Sequence, residues 1–312
     1  MVTTAAGSAG RAGERRVQAA GPNRTAPAAS TPGRLRPLDG LRFLAAAGVV
    51  LYHFTARAPQ WGEPAGERFP VVGEVSVYFS LAPQLFFVIS GFVILWSAWG
   101  RSVPQLVAPR AARLWPACGA ALALPAVLLL VVWPGWRITP GQVAVNATLL
   151  QSAVGVSHVD GVYWTLWAEL RYYLLVVALV AVGLTRRRVL AFAALWPVAA
   201  VLAQRAGVEP LATVLIGQYA PYFAGGMALF LIWRDGHAWP PWLVVIGNAA
   251  LGTWAVVGGR EAAIARLTVF EADPRLLTAA SLGCFAAVGV ASLTPLRRWD
   301  WRGLTAVGAL TY

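Results

Sequence analysis

The sequence predicts an all-α fold, a polytopic bundle of transmembrane helices, and three observations predict it. Of the 312 residues, 58% are hydrophobic and only 12% are charged, about half the charged share of a soluble domain. The mean hydropathy is +0.62. Long apolar runs follow one another with short loops between them, and a segment crossing a bilayer must satisfy its own backbone polar groups, as a helix does. The composition also bounds function. The net charge is +12, and every basic residue is Arg. These arginines gather in the N-terminal stretch and in short loops, so membrane topology accounts for them and no nucleic-acid partner is implied. An all-Arg basic set with much Ala and Gly fits a bacterial, GC-rich genome. Cys118 and Cys284 lie inside apolar runs as small buried side chains. There is no disulfide framework and no Cys/His set at metal-ligand spacing.

Residues 1–33 are Ala, Gly, Thr, Pro, Ser and Arg with almost no large apolar side chains. They cannot bury a core and read as a disordered cytoplasmic tail; residues 34–312 then form the membrane domain. The runs predicted as membrane helices are 38–56, 76–99, 112–133, 162–184, 189–204, 211–233, 242–258 and 276–294, and a ninth begins near Gly303. An N-terminus in the cytoplasm puts ten loop arginines inside and seven outside, with six more near the N-terminus on the inner side. The positive-inside rule favours that orientation, so the expected location is the cell membrane, multi-pass, N-terminus cytoplasmic. Trp96, Trp99, Trp133, Trp136, Trp164, Trp239 and Trp242 flank the runs as an interfacial belt.

Within the first run the charged groups and the histidine are Asp39, Arg42 and His53. Arg42 and His53 are eleven residues apart; at about 100° per residue both leave one helix face, roughly 16 Å apart along the axis. Ionisable groups in a membrane helix usually face a cavity or a partner. Arg42 reads either as a snorkelling anchor or as one end of a site, and His53 either as a buried interhelical histidine or as the other end. In the second run Ser90-Gly91 either lets two helices approach closely or leaves room for a thin ligand. Arg110 and Arg113, at i,i+3, share one face before the third run; they read as topology signals or as a phosphate fork. Glu169 falls near the depth of His53 and could fix its tautomer, while Arg171 offers an alternative ion-pair partner. His158 and His237 fall in loops as surface residues.

Taken together and in order, these segments resemble the membrane acyltransferase-3 family. The matching stretches are Leu38-Asp39-Gly40-Leu41-Arg42, the ten-residue spacing from Arg42 to His53, FFVISGF at 86–92 and Arg110-x-x-Arg113. YWTLWAELRYYLL at 163–175 and Val307–Tyr312 complete the series. Where the family more often carries two adjacent acids, this chain has Glu169-Leu170. The resemblance implies ten helices, of which about eight or nine are present and the rest would follow Tyr312.

It further implies transfer of an acyl group, commonly acetyl, from cytoplasmic acyl-CoA to a hydroxyl of an extracytoplasmic or membrane-associated acceptor, carbohydrate or glycolipid. No permanently bound cofactor is implied; acyl-CoA is the donor substrate. Arg42, Arg110 and Arg113 would hold its phosphates, with Ser90 and Gly91 along its arm. His53 would act as general base with Glu169 orienting it. The competing reading is a proton-coupled transporter or flippase with Arg42, His53 and Glu169 along an intramembrane path. A third is a scaffold with no chemistry. No internal repeat supports the transporter.

Overall fold

The computed structural model describes residues 1–3, 35–57, 65–133, 135 and 138–298. The expected tail over 1–33, beyond its first three residues, and the ninth run near Gly303 lie outside the described residues. Helix α1 (Arg36–Leu51) carries Pro37 in its first turn, where a missing N–H costs nothing. It runs on into a single π turn, Tyr52–Ala56. Short α2 (Ala65–Arg68) and α3 (Pro70–Ser76) follow, and a 3₁₀ turn joins α3 to α4 (Ala82–Ala98). Next come α5 (Val103–Val127), α6 (Pro140–Ala147), α7 (Trp164–Val182) and α8 (Arg186–Arg205). The series closes with α9 (Glu209–Val214), α10 (Ala220–Asp235), α11 (Trp239–Leu267) and α12 (Pro274–Leu293). Among the described residues there is no strand.

Seven helices are long and apolar enough to cross a membrane: 70–98, 103–132, 161–182, 186–205, 209–235, 239–267 and 274–293. They coincide with seven of the eight expected runs. The exception is α1, which was also expected to span and does not reach that mean hydropathy because Asp39, Arg42 and His53 lower it. These polar groups are turned inward: Asp39 is 1% and Arg42 9% exposed, whereas Leu44, Val50, Leu51 and Phe54 face outward. α1 is therefore polar inside and apolar outside, the arrangement a lipid-facing helix with an internal site requires. Short connections make successive spans antiparallel. One end of the bundle gathers the start of α1 and the turns after α4, α7 and α10. The other gathers the π turn and the connections before α4, α7, α10 and α12.

α10 is the centre. Residues 220–232 are all buried, and the helix packs against α4, α8, α11 and α12. Lipid tails are as apolar as Leu, so packing density and close approach, rather than water exclusion, hold helices together here. Two glycines provide that approach. A β-carbon on Gly91 would overlap the Phe223 carbonyl, and one on Gly226 would overlap the Val88 carbonyl. Around this crossing Phe223 stacks on Phe87 at 4.7 Å and on Tyr172 at 4.4 Å, and each such pair contributes about 0.5–1.5 kcal/mol. The outer helices present Leu124 and Val127 on α5, Val131 in the π turn that continues it, and Leu195 and Leu202 on α8. That surface suits lipid.

Candidate active site

His53 sits in the π turn, a device often found at functional positions. The Arg57 backbone N–H closes that turn on the Tyr52 carbonyl at 3.0 Å. Thr55 Oγ1 braces it by bonding the Leu51 carbonyl and Ser76 Oγ, both at 2.7 Å. The His53 Nδ1 lies 2.8 Å from the Val49 carbonyl oxygen. A carbonyl only accepts, so Nδ1–H donates and Nε2 is left with the lone pair. Arg57 Nη1 then donates to Nε2 at 3.1 Å; a guanidinium has no acceptor, which demands the same tautomer. With Nδ1–H committed to Val49, Nε2 carries the lone pair that Arg57 meets.

His53 lines a cavity of about 320 Å³ together with Val49, Tyr52, Arg57, Phe79, Ser80, Pro83, Gly161, Trp164, Tyr219, Arg260 and Leu267. Five segments meet there, all at the end of the bundle where α1 finishes. Ser80 Oγ is buried in its wall with no hydrogen-bond partner. In the first turn of α4, Gln84 is 0% exposed, and neither its amide oxygen nor its nitrogen has a partner among the described residues. Buried polar groups are nearly always paired. Ser80 lines the cavity, whereas Gln84 is enclosed by the helices beyond it.

The expected contact between Glu169 and His53 is not formed. Glu169 Oε1 instead accepts from Ser90 Oγ and from the Tyr173 hydroxyl, each at 3.0 Å. Glu169 meets α4 at Ser90, about two turns beyond Pro83 at the His53 cavity, so its depth as well as its rotation about the α7 axis differs from the expectation. Arg110 joins the same network: Nη1 donates to the Tyr173 hydroxyl at 3.2 Å, and Nη2 donates to Ser97 Oγ. Its guanidinium also lies 5.0 Å from the Tyr173 ring centroid. The carboxylate and the guanidinium thus compensate each other through a phenol, which suits charges held away from water. Arg113 is exposed at the same end, whereas Arg110 is half-buried and turned toward Tyr173 and Ser97. Arg42 is buried where α1 packs against α4 and α12.

Gly91 requires a correction. Its α-carbon offers no passage to a ligand arm, because the α10 backbone occupies that space and the Tyr172 hydroxyl bonds its carbonyl at 3.2 Å. Arg171 does not neutralise Glu169 either. It donates to the Trp167 carbonyl at 3.2 Å and to the Thr213 carbonyl. His158 is no plain surface residue: Gln151 Nε2 and Ser152 Oγ flank its ring at 3.0 and 3.2 Å, and burial pushes its pKa below 6.5. His237 is exposed and stacks on Trp242 at 5.8 Å.

The residues that sequence reasoning missed are Arg57, Arg260, Ser80 and Gln84. Arg57 carried a signal, since it follows His53 by one turn and shares its face. Arg260 lies beyond the expected run 242–258 and so reads as a loop residue; α11 continues through it to Leu267. Two comparisons with known proteins find no counterpart: no curated protein and no solved structure matches the chain. The family comparison does. The acyltransferase-3 profile, described as an acyltransferase domain, matches residues 36–312, from the first residue of α1 and across every feature described above. The chain belongs to the acyltransferase-3 family, as a multi-pass membrane acyltransferase.

Proposed function

We propose that the protein moves an acyl group, acetyl in the simplest case, from acyl-CoA to a hydroxyl of a carbohydrate or glycolipid acceptor, with His53 as general base. The observation that carries this reading is the tautomer of His53. With Nδ1–H committed to Val49, Nε2 is the nitrogen left to act as base once Arg57 withdraws, and His53 lines the cavity where an acceptor hydroxyl would be received. The acceptor oxygen attacks the thioester carbonyl as Nε2 takes its proton; the carbon–sulfur bond then breaks, and the imidazolium returns the proton to the departing thiolate. Positioned base catalysis of this kind contributes about 10²–10⁴-fold.

The donor would enter from the opposite end, where the start of α1 and the arginine-bearing α5 lie. Arg113 and the remaining donors of Arg110 would meet its phosphates, with Arg42 buried along the way. Ser90 and Glu169, tied to Arg110 through Tyr173, would hold that route in register. The positive-inside count makes this end cytoplasmic, where acyl-CoA is found. The test is transfer of label from acetyl-CoA to a glycan extract by wild-type and His53→Ala protein in membranes. Label should enter the glycan with wild type alone. Equal transfer by both would remove His53 as the base.

A further inference from the structure

Two arginines line the His53 cavity and no aspartate or glutamate does, among the described residues. Arg57 comes from the end of the π turn, and Arg260 comes from α11. Both lie near enough to the Tyr52 hydroxyl to act on it electrostatically. Both Nε atoms are buried and have no hydrogen-bond partner. Neither guanidinium makes a salt bridge among the described residues, whereas Arg186 and Arg234 find Asp235. Uncompensated cations at a membrane cavity are expensive, and they usually mark what passes through or binds there. The guanidinium fork is the group suited to carboxylate and phosphate.

Arg57 has a second property. Its Nη1 occupies the lone pair of His53 Nε2, the same lone pair that must take the acceptor's proton. With the cavity in this state the base is capped. We infer that the acceptor is an acid: its anionic group, carboxylate or phosphate, binds between Arg57 and Arg260 and draws Arg57 off His53, so the base is uncapped only when the acceptor is present. This rests on the reading of His53 as the base. The arrangement also keeps water from serving as acceptor, because the cap stays in place until an anion arrives. Neutral hydroxyl compounds would lack the charge needed to lift it.

Binding of three glycosides with one ring tests this by calorimetry on the intact protein in nanodiscs: methyl glucoside, methyl glucuronoside and methyl glucoside 6-phosphate. Wild type should bind at least one charged glycoside about tenfold or more tightly than the neutral one, and which one it is identifies the anion. Arg260→Gln should abolish the preference and Arg260→Lys should keep part of it. His53→Ala should keep the preference while losing transfer. Arg57→Gln should raise acyl-CoA hydrolysis in the absence of acceptor. Failure of wild type to distinguish charged from neutral glycosides, whether all bind or none does, overturns the proposal. Displacement of the charged glycoside by adenosine 3′,5′-bisphosphate overturns it too, since the anion would then be the donor's own. Wild-type transfer by His53→Ala with the charge preference intact would instead remove the base and leave the anion site standing.

Discussion

Replacing Gln84 with Met should make the protein more stable and less active. The side chain is fully buried in α4 and neither end of its amide is hydrogen-bonded. An unpaired buried amide costs about 1–3 kcal/mol relative to an apolar group of the same shape. Met has nearly the same length and volume and no such penalty. Gln84→Met should therefore raise the unfolding free energy by about 1–3 kcal/mol, which for a chain of this size is roughly 2–4 °C in the thermal midpoint per kcal/mol. If Gln84 waits for the substrates meeting in front of Ser80 and His53, the same change should lower kcat/KM by about tenfold, the loss of one hydrogen bond of about 1.4 kcal/mol. Thermal unfolding in detergent and steady-state transfer, run on the same preparations, read both quantities. A destabilised variant would show that Gln84 has a partner in the resting protein. A stabilised variant with unchanged kcat/KM would show that its amide serves no substrate.

Three further outcomes follow from the geometry. Gly226→Ala drives a methyl into the Val88 carbonyl and should cost about 1–3 kcal/mol or more, read as a lower thermal midpoint, while the relation between kcat and KM in the surviving protein stays unchanged. Tyr173→Phe removes the phenol between Glu169 and Arg110; it should destabilise the protein by about 1–3 kcal/mol and weaken acyl-CoA binding, and Glu169→Gln should partly rescue stability in that background by removing the stranded charge. His158 has a pKa below its ordinary 6.5 because burial disfavours its charged form. The unfolded chain then binds the proton more readily, so stability should be complete above pH 6.5 and decline as the pH falls through 6.5 and below. A midpoint-against-pH series in which His158→Asn lacks that decline checks the assignment.

The membrane helices were legible because they need only composition; most run ends fall within a few residues of the helices that form, but α5 begins at 103 where 112 was expected and α11 continues to 267 where 258 was expected. α1 was also legible as a helix, since Arg42 and His53 on one stripe already said which side faces inward. What the sequence could not give was rotation and register. Glu169 was placed at the correct helix but against the wrong neighbour, because sequence spacing fixes neither the depth at which α7 meets α4 nor its rotation there. Ser90-Gly91 allowed two readings, and only the approach of Phe223 selects packing for the glycine. Gln84 passed unnoticed since one amide in an apolar run says nothing until its lack of partners is visible. Arg57 and Arg260 were counted with the loops because the positive-inside rule tallies arginines near run ends without asking what they face.

The complete burial of α10 has a consequence for biogenesis. A helix with no lipid-facing side has no final seat until its neighbours are in place, and two of them, α11 and α12, are made after it. During synthesis α10 must therefore linger, either in the insertion machinery or loosely against α4 and α8. Its glycine face is already matched to α4 through Gly91 and Gly226, which gives the waiting helix a docking partner synthesised well before it. Closure comes when α11 and α12 arrive and cover the remaining sides. A chain cut before Trp239 and tethered to the ribosome through a long polar spacer should leave α10 open to crosslinking by lipid-borne probes, and one cut after Leu293 with the same spacer should not.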